Sequence, residues 1–114
     1  MVDDEEIEPG ISVFELVEII REDKEIIDLS SLAGVRQLTY LDLSRRPKLA
    51  NVNSLAGLTQ LEALYLQFNP NLNDVSALTG LANLKLLNLK ATPNLAKSQV
   101  DELQKSLPEC KIYR

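Results

Sequence analysis

Side chains that could carry catalytic chemistry are few in this sequence. Histidine is absent, which removes the commonest general acid–base group and any serine–histidine pair. The single cysteine, Cys110, excludes an internal disulfide, and without histidine a conventional zinc site is not expected. No phosphate-binding, dinucleotide-binding or EF-hand motif occurs, and the carboxylates are scattered along the chain. The sequence therefore predicts no enzyme and no cofactor, which leaves recognition through a surface as the function to look for.

The elements that would hold such a surface recur every 23 residues. Leu41, Leu64 and Leu87 are separated by this step. A fixed period of about 20–29 residues with leucines at constant offsets indicates a solenoid, in which each repeat stacks on the next. The same step links Leu43, Leu66 and Leu89; Pro47, Pro70 and Pro93; and Gly34, Gly57 and Gly80.

The central repeat carries most of a known motif. Leu61, Leu64, Leu66, Asn69 and Leu72 follow L-x-x-L-x-L-x-x-N-x-L with one extra residue before the last leucine. The chain therefore resembles leucine-rich-repeat proteins, and the Asp-Val-Ser-Ala-Leu-Thr-Gly-Leu run at 74–81 is similar to the internalin-like repeats of bacterial proteins. The resemblance implies an α/β right-handed solenoid with a parallel concave sheet, short convex turns, an N-terminal helical cap and a C-terminal helix–strand cap. The neighbouring repeats have Arg46 and Thr92 in place of the asparagine.

Alternation of period two predicts parallel strands at 39–44, 63–67 and 86–90. The 23-residue step predicts a last strand at 109–113, with Cys110 in the place of a core leucine and its thiol buried and inert. The outward residues of these strands should form rows, which are Tyr40, Ala63, Leu86 and Glu109; Asp42, Tyr65, Asn88 and Lys111; and Ser44, Gln67, Lys90 and Tyr113. At the strand exits these rows are flanked by Arg45, Phe68, Ala91 and Arg114.

All three tyrosines of the chain fall in these rows, and tyrosine is enriched at interface hot spots. The alternative is that they are ordinary exposed strand residues, since tyrosine also favours strands. Phe68 is left open, because its position can also turn partly inward. We predict a partner-binding concave face made of Tyr40, Asp42, Ser44, Ala63, Tyr65, Gln67, Leu86, Asn88, Lys90, Lys111 and Tyr113.

The second half of each repeat predicts a short helical or 3₁₀ turn on the convex side. Ser30, Asn53 and Ser76 are residue types that cap helix N-termini. The glycines four residues later favour a left-handed stop. The prolines that follow the strands should end the hydrogen-bonded ladder, because proline has no amide hydrogen.

The two ends depart from the repeat. Residues 1–10 are predicted to be an acidic flexible tail, since residues 1–8 contain five acids. Ser12 to Glu15 match a capping box, which predicts a helix from Ser12 to about Glu22. We interpret the unit 11–25 as a cap on the first repeat, with a partner-binding helix as the alternative. The remaining units are a partial repeat 26–37, repeats 38–60, 61–83 and 84–106, the last with a longer helix, and a C-terminal strand 107–114.

Charge and hydropathy limit the partners. The net charge of −5 argues against nucleic acid, and no apolar run is long enough to span a membrane. The acidic N-terminus does not read as a signal peptide, so a cytoplasmic location is expected, with delivery to another cell as the alternative. A monomer is favoured, and the oligomeric state is open. The predicted function is non-enzymatic binding of a protein or peptide on the concave sheet. The alternatives are a recognition domain of a larger signalling or effector protein and a structural or self-associating scaffold.

Overall fold

The computed structural model describes residues 34–114 in full and, before them, only the backbone of two short strands. Strand β1 (Glu6–Glu8) pairs antiparallel with β2 (Ile11–Ser12). Glu6–Glu8 of the predicted tail 1–10 therefore lies in a strand pair, and the flexibility of the tail stays a prediction. Ser12 lies in β2, and the rest of the predicted helix and the partial repeat up to residue 33 lie outside the described residues.

A parallel sheet of four strands runs through residues 34–114. The backbone ladder continues past the assigned strand ends, since the Arg45 amide donates to the Gln67 carbonyl at 3.0 Å and the Phe68 amide to the Lys90 carbonyl at 2.9 Å. This sheet, with short convex turns, confirms the predicted α/β solenoid. In spatial order the strands are β3 (Tyr40–Asp42), β4 (Ala63–Tyr65), β5 (Leu86–Asn88) and β6 (Lys111–Tyr113).

The core is a column of leucine side chains. The 3₁₀ turns on the convex side direct several of these side chains inward. The Leu55 amide donates to the Val52 carbonyl, Leu58 to Leu55, and Leu61 to Leu58, at 2.9–3.0 Å. In consecutive 3₁₀ hydrogen bonds, side chains three residues apart are eclipsed. The side chains of Val52, Leu55, Leu58 and Leu61 therefore lie on the same side of the turn. All four are fully buried, as is Leu64 in the strand that follows. The leucine spacing of three therefore closes the convex half of the repeat onto the sheet.

The convex turns begin differently from the prediction. Their 3₁₀ helices span Asn53–Leu55 and Ser76–Gly80, but neither Asn53 nor Ser76 caps its helix with its side chain. Instead, Asn51 Oδ1 accepts from the Asn53 amide at 3.1 Å, and Asp74 Oδ1 accepts from the Ser76 amide at 2.9 Å and its hydroxyl at 2.7 Å. The predicted caps are wrong because the side chain two residues earlier already satisfies the exposed amide.

Left-handed backbone occurs at the strand exits and not at the glycines. Arg45 and Phe68 have φ of 61° and Ala91 has φ of 56°. Gly57 and Gly80 do not have positive φ, and a Cβ added at either would meet nothing within 4 Å. The predicted left-handed stop is wrong there, because consecutive 3₁₀ bonds carry the chain onward without reversing its hand.

A tight turn after each strand absorbs the extra residue of the repeat. The Leu72 amide donates to the Asn69 carbonyl at 3.2 Å across Pro70. Proline at the second position of such a turn has the required φ already set. The neighbouring repeats make the same bond, from Leu49 to Arg46 at 3.2 Å and from Leu95 to Thr92 at 3.1 Å.

Asn69 ties two repeats together from inside. It is fully buried, and its Nδ2 donates to the carbonyls of Leu43 at 3.0 Å and Leu66 at 2.7 Å. Its Oδ1 accepts from the amide of Arg46 at 2.6 Å, and Arg46 is itself fully buried. In the next repeat Thr92 makes a single bond, from its hydroxyl to the Leu89 carbonyl at 2.7 Å. The asparagine position is thus filled by three side chains of different bonding capacity.

The C-terminal unit has a different register from the predicted one. Helix α1 (Lys97–Ser106) takes the place of the convex 3₁₀ turn. Strand β6 then pairs Lys111 with Leu86 and Ile112 with Leu87, a step of 25 residues. The register of 23 was wrong, and Ile112 rather than Cys110 lies opposite Leu87. The length of an inserted helix is set by its own packing, so the period of the repeats does not carry through it.

Two glutamines fasten this unit to the repeats. Gln99 Oε1 accepts from the Val75 amide, and its Nε2 donates to the Asn73 carbonyl at 3.3 Å. Gln104 Nε2 donates to the carbonyls of Leu107 at 3.0 Å and Cys110 at 2.9 Å. Helix α1 is therefore bonded to the preceding convex turn at its start and to the entry of β6 near its end.

Candidate functional site

The outward side chains of the sheet lie on one surface, opposite the leucine core. We call this surface the concave face. Because β6 is shifted by two residues, Lys111 lies in the first row and Tyr113 in the second. The rows are Tyr40, Ala63, Leu86 and Lys111; then Asp42, Tyr65, Asn88 and Tyr113; and, past the strand ends, Ser44, Gln67 and Lys90. All the predicted binding residues thus lie on one side of the sheet, although Ser44 is buried, while Glu109 falls outside the rows.

Aromatic side chains dominate the β3–β4 side of this face. The rings of Tyr40 and Tyr65 have centroids 5.3 Å apart and planes tilted by 48°. Tyr40 is 52% exposed, whereas Tyr65 is half-buried. Ala63 lies between Tyr40 and Leu86 in the first row, and its side chain is smaller than those of both neighbours. The arrangement offers apolar surface held on a rigid backbone.

Several polar residues of the face are partly used by the fold. Asp42 Oδ1 accepts from the Ser44 amide at 2.9 Å, and Asn88 Oδ1 accepts from the Lys90 amide at 3.0 Å. Each still has bonding capacity, since a carboxylate has a second oxygen and an amide has two N–H groups. Ser44 is buried and offers little surface. The Oε1 atom of Gln67 is buried and has no hydrogen-bond partner among the described residues.

Phe68 extends the apolar surface past the strand ends. Its side chain is 47% exposed and therefore points outward, which answers the question that the sequence left open. The guanidinium carbon of Arg45 lies 4.5 Å from the centroid of its ring, which is cation–π geometry. The two residues hold equivalent positions in adjacent repeats, and both have left-handed backbone. Sequence reasoning placed both residues beside the face but did not include them in it. Arg45, Phe68 and Ala91 are each separated by 23 residues, and this shared position was the sequence signal that could have assigned them to the same surface.

Charge is distributed unevenly along the face. Asp42, at the β3 side, is its only carboxylate among the described residues. Lys90 and Lys111 lie at the β5–β6 side, and neither is ion-paired within residues 34–114. Arg114 follows β6 and lies 3.5 Å from Asp101 of helix α1. A basic end therefore exists on a chain whose net charge is −5.

Cys110 and the carboxylates are the side chains of the described residues that could supply a reactive thiol or metal ligands. Cys110 is buried, and burial raises the pKa of its thiol, which keeps it protonated and unreactive. Within residues 34–114, no three Cys, Asp or Glu side chains are placed to hold a metal ion. Over the same residues, no helix is long and apolar enough to cross a membrane.

No protein-family model matches the chain, and no curated protein does. Solved structures match its fold. An internalin (inlF) of Listeria monocytogenes is 22% identical, with a TM-score of 0.68, over 78% of this chain and 25% of that chain. The chain has the leucine-rich-repeat fold and resembles internalins. A leucine-rich-repeat protein of Leptospira interrogans is 21% identical, with a TM-score of 0.50, over 79% of this chain and 29% of that chain.

The leucine-rich-repeat chain therefore spans between a quarter and a third of the length of these two solved chains. At these identities the likeness concerns the fold. It says nothing about individual side chains on the concave face. What that surface does has to be argued from its own residues.

Proposed function

We propose that the chain is a non-enzymatic interaction module that binds a protein or peptide on its concave face. The observation that carries this proposal is the contact between the rings of Tyr40 and Tyr65 on the outward side of the sheet. Tyrosine supplies a large amphipathic contact area for little loss of side-chain entropy, which is why it recurs at binding hot spots. Half-buried Leu86 and exposed Phe68 extend the same apolar surface.

The backbone beneath this surface supports the proposal. Strands β3, β4, β5 and β6 are parallel and hydrogen-bonded to one another, so the spacing between their side chains is fixed. Strands in such a sheet lie about 4.8 Å apart, which gives the four strands a width of roughly 14 Å. A rigid platform loses little conformational entropy when a ligand binds. That width suits an extended segment or one face of a helix.

The test is binding after removal of the aromatic pair. Tyr40→Ala combined with Tyr65→Ala should abolish capture of proteins from native lysate, while circular dichroism shows an unchanged fold. A matched control is Glu102→Ala combined with Lys105→Ala, which changes two exposed side chains of helix α1. If the tyrosine variant captures the same proteins as the wild type, the ligand binds elsewhere.

A self-associating scaffold is the second candidate. Within the described residues, β6 pairs on one side only, and unpaired strand edges favour association. The strand has only three residues and includes Lys111, features that discourage pairing between edges. Light scattering that shows a monomer at all concentrations would exclude this scaffold. The cytoplasmic location and the role as a recognition domain of a longer protein remain predictions.

A further inference from the structure

We propose that the partner of the concave face is an acidic protein segment that also carries an apolar side chain. This inference rests on the proposed function and adds the chemistry of the ligand. It starts from the division of the face into an aromatic side at β3–β4 and a basic side at β5–β6. Tyr40 and Tyr65 define the first side. Lys90 and Lys111 define the second.

The two lysines are available to a ligand. Both are exposed, and neither has an ion-pair partner among residues 34–114. Elsewhere in the same range Lys85 approaches Glu62 at 3.9 Å and Lys97 approaches Asp101 at 3.0 Å. The carboxylate nearest to Lys111 in sequence, Glu109, precedes β6 and forms no ion pair with it. On an acidic chain, exposed cations at one end of a binding surface are complementary to an acidic ligand.

The geometry defines what the ligand must present. Lys111 lies in the first row beside Leu86, and Lys90 lies two positions beyond Asn88 on the adjacent strand. Four residues along the strand and one strand spacing across it separate the two positions by roughly 14 Å. Between them stand Asn88 and Tyr113, an amide and a 37% exposed ring. A segment with two carboxylates at that separation would meet both lysines, and its apolar side chain would reach the apolar surface at Ala63 and Leu86.

Charge also separates this ligand from nucleic acid. A strand of phosphates is held by many cations at once, and each contact adds to the salt dependence. The concave face has two lysines without an ion-pair partner among residues 34–114, and Asp42 lies across the same sheet. Repulsion from the rest of an acidic chain would weaken the binding of a long polyanion more than that of a short acidic segment. A short acidic peptide needs only local complementarity, so it suits this face better.

The experiment uses a random peptide library displayed on phage, panned against the full chain. Peptides enriched on the wild type should contain Asp or Glu close to an aromatic or aliphatic residue. Lys90→Gln combined with Lys111→Gln should remove the acidic preference and weaken the best synthetic peptide about fivefold. Raising sodium chloride from about 50 to about 300 mM should weaken the wild type about threefold, since screening shortens the reach of exposed charges. The control is Lys97→Gln combined with Lys105→Gln, which removes two cations from helix α1 and should change neither result.

The other outcomes separate this inference from the proposed function. Peptides that depend on the tyrosines but show no acidic preference would overturn the acidic partner and leave concave binding intact. Peptides that bind equally well after the tyrosine substitutions and after the lysine substitutions would overturn both the acidic partner and concave binding. The absence of enrichment above a blank surface would do the same. A thymidine oligonucleotide that binds through the two lysines would make the partner a nucleic acid. A dimer that dissociates in the lysine variant would make it a second copy of the chain.

Discussion

The central repeat and the C-terminal unit complete the same stack in different ways. In the central repeat the turn across Pro70, the buried Asn69 and the cap at Asp74 all use bonds within the repeat or to the one before it. In the C-terminal unit helix α1 replaces the convex turn, and Gln99 and Gln104 supply bonds that the other described repeats do not make. A repeat can thus be specified by local pattern, whereas an end depends on particular side chains. The two regions should respond differently to substitution.

The largest difference is expected for buried leucines. Leu64→Ala should lower the free energy of unfolding by about 2–5 kcal/mol, because the cavity opens between layers on both sides. Leu103→Ala in helix α1 removes an equally buried side chain at the end of the stack and should cost less, since that helix has repeats on one side only. Urea denaturation followed by circular dichroism measures both. Equal losses would show that the end unit is coupled as tightly as the centre.

Side-chain amides give the next comparison. Asn69→Ala should cost roughly 3 kcal/mol, because two buried carbonyls and one buried amide lose their partner. Gln104→Ala should cost about 1 kcal/mol, since the carbonyls of Leu107 and Cys110 lie nearer to water. Hydrogen exchange adds a local measurement. The Lys111 amide should exchange faster in Gln104→Ala and not in Asn69→Ala. A larger loss for Gln104→Ala would reverse the expected order of the two regions.

The strand exits test a feature that the repeats share. Ala91 has φ of 56°, which is strained for any residue with a Cβ, so Ala91→Gly should stabilise the chain by up to about 1 kcal/mol. Ala82 does not have positive φ, and Ala82→Gly should destabilise by roughly 0.5 kcal/mol through the entropy of the unfolded chain. The midpoints of urea denaturation give both signs. Destabilisation by both substitutions would mean that the turn after β5 carries no strain.

The smallest expected effect is the dependence on pH of the convex caps. Hydrogen bonds from the Ser76 amide and hydroxyl hold the pKa of Asp74 below its usual value. A lowered pKa in the folded state adds stability above the ordinary pKa, and this stability is lost as the pH falls through the lowered value. Asp74→Asn keeps an acceptor oxygen, as Asn51 does one repeat earlier. The variant should therefore lose less Tm than the wild type between about pH 5 and pH 2. Asn51→Asp, the reciprocal change, should lose more; parallel Tm curves would contradict both.

Most of the fold could be predicted from the sequence because the same 23-residue pattern recurs along the chain. The positions of Leu41, Leu64 and Leu87 predicted the register of three strands, and the structure has this register. Local chemistry was predicted less well. Asn53 and Gly57 had the right residue types for a cap and a stop, but the acceptor at Asn51 and the 3₁₀ bonds made both roles unnecessary. Propensity is a weak guide where a neighbour satisfies the same backbone group.

The candidate site divides in the same way. The rows of the concave face followed from alternation along the strands, so Tyr40, Tyr65, Leu86 and their neighbours were named correctly as surface positions of one sheet. Alternation does not predict accessibility, and Ser44 is buried. It also does not predict the contact between Arg45 and Phe68, because that depends on backbone curvature at two strand exits.

By itself, the sequence determined the number of residues per layer, the leucine column and the face on which the tyrosines lie. Each of these is set by covalent spacing together with the burial of apolar side chains, and both can be counted along the chain. Only the tertiary structure decided the register of β6, which places Lys111 and Tyr113 beside Leu86 and Asn88. That register depends on how helix α1 packs against the preceding repeat. Packing between segments distant in sequence has no period that the sequence could show.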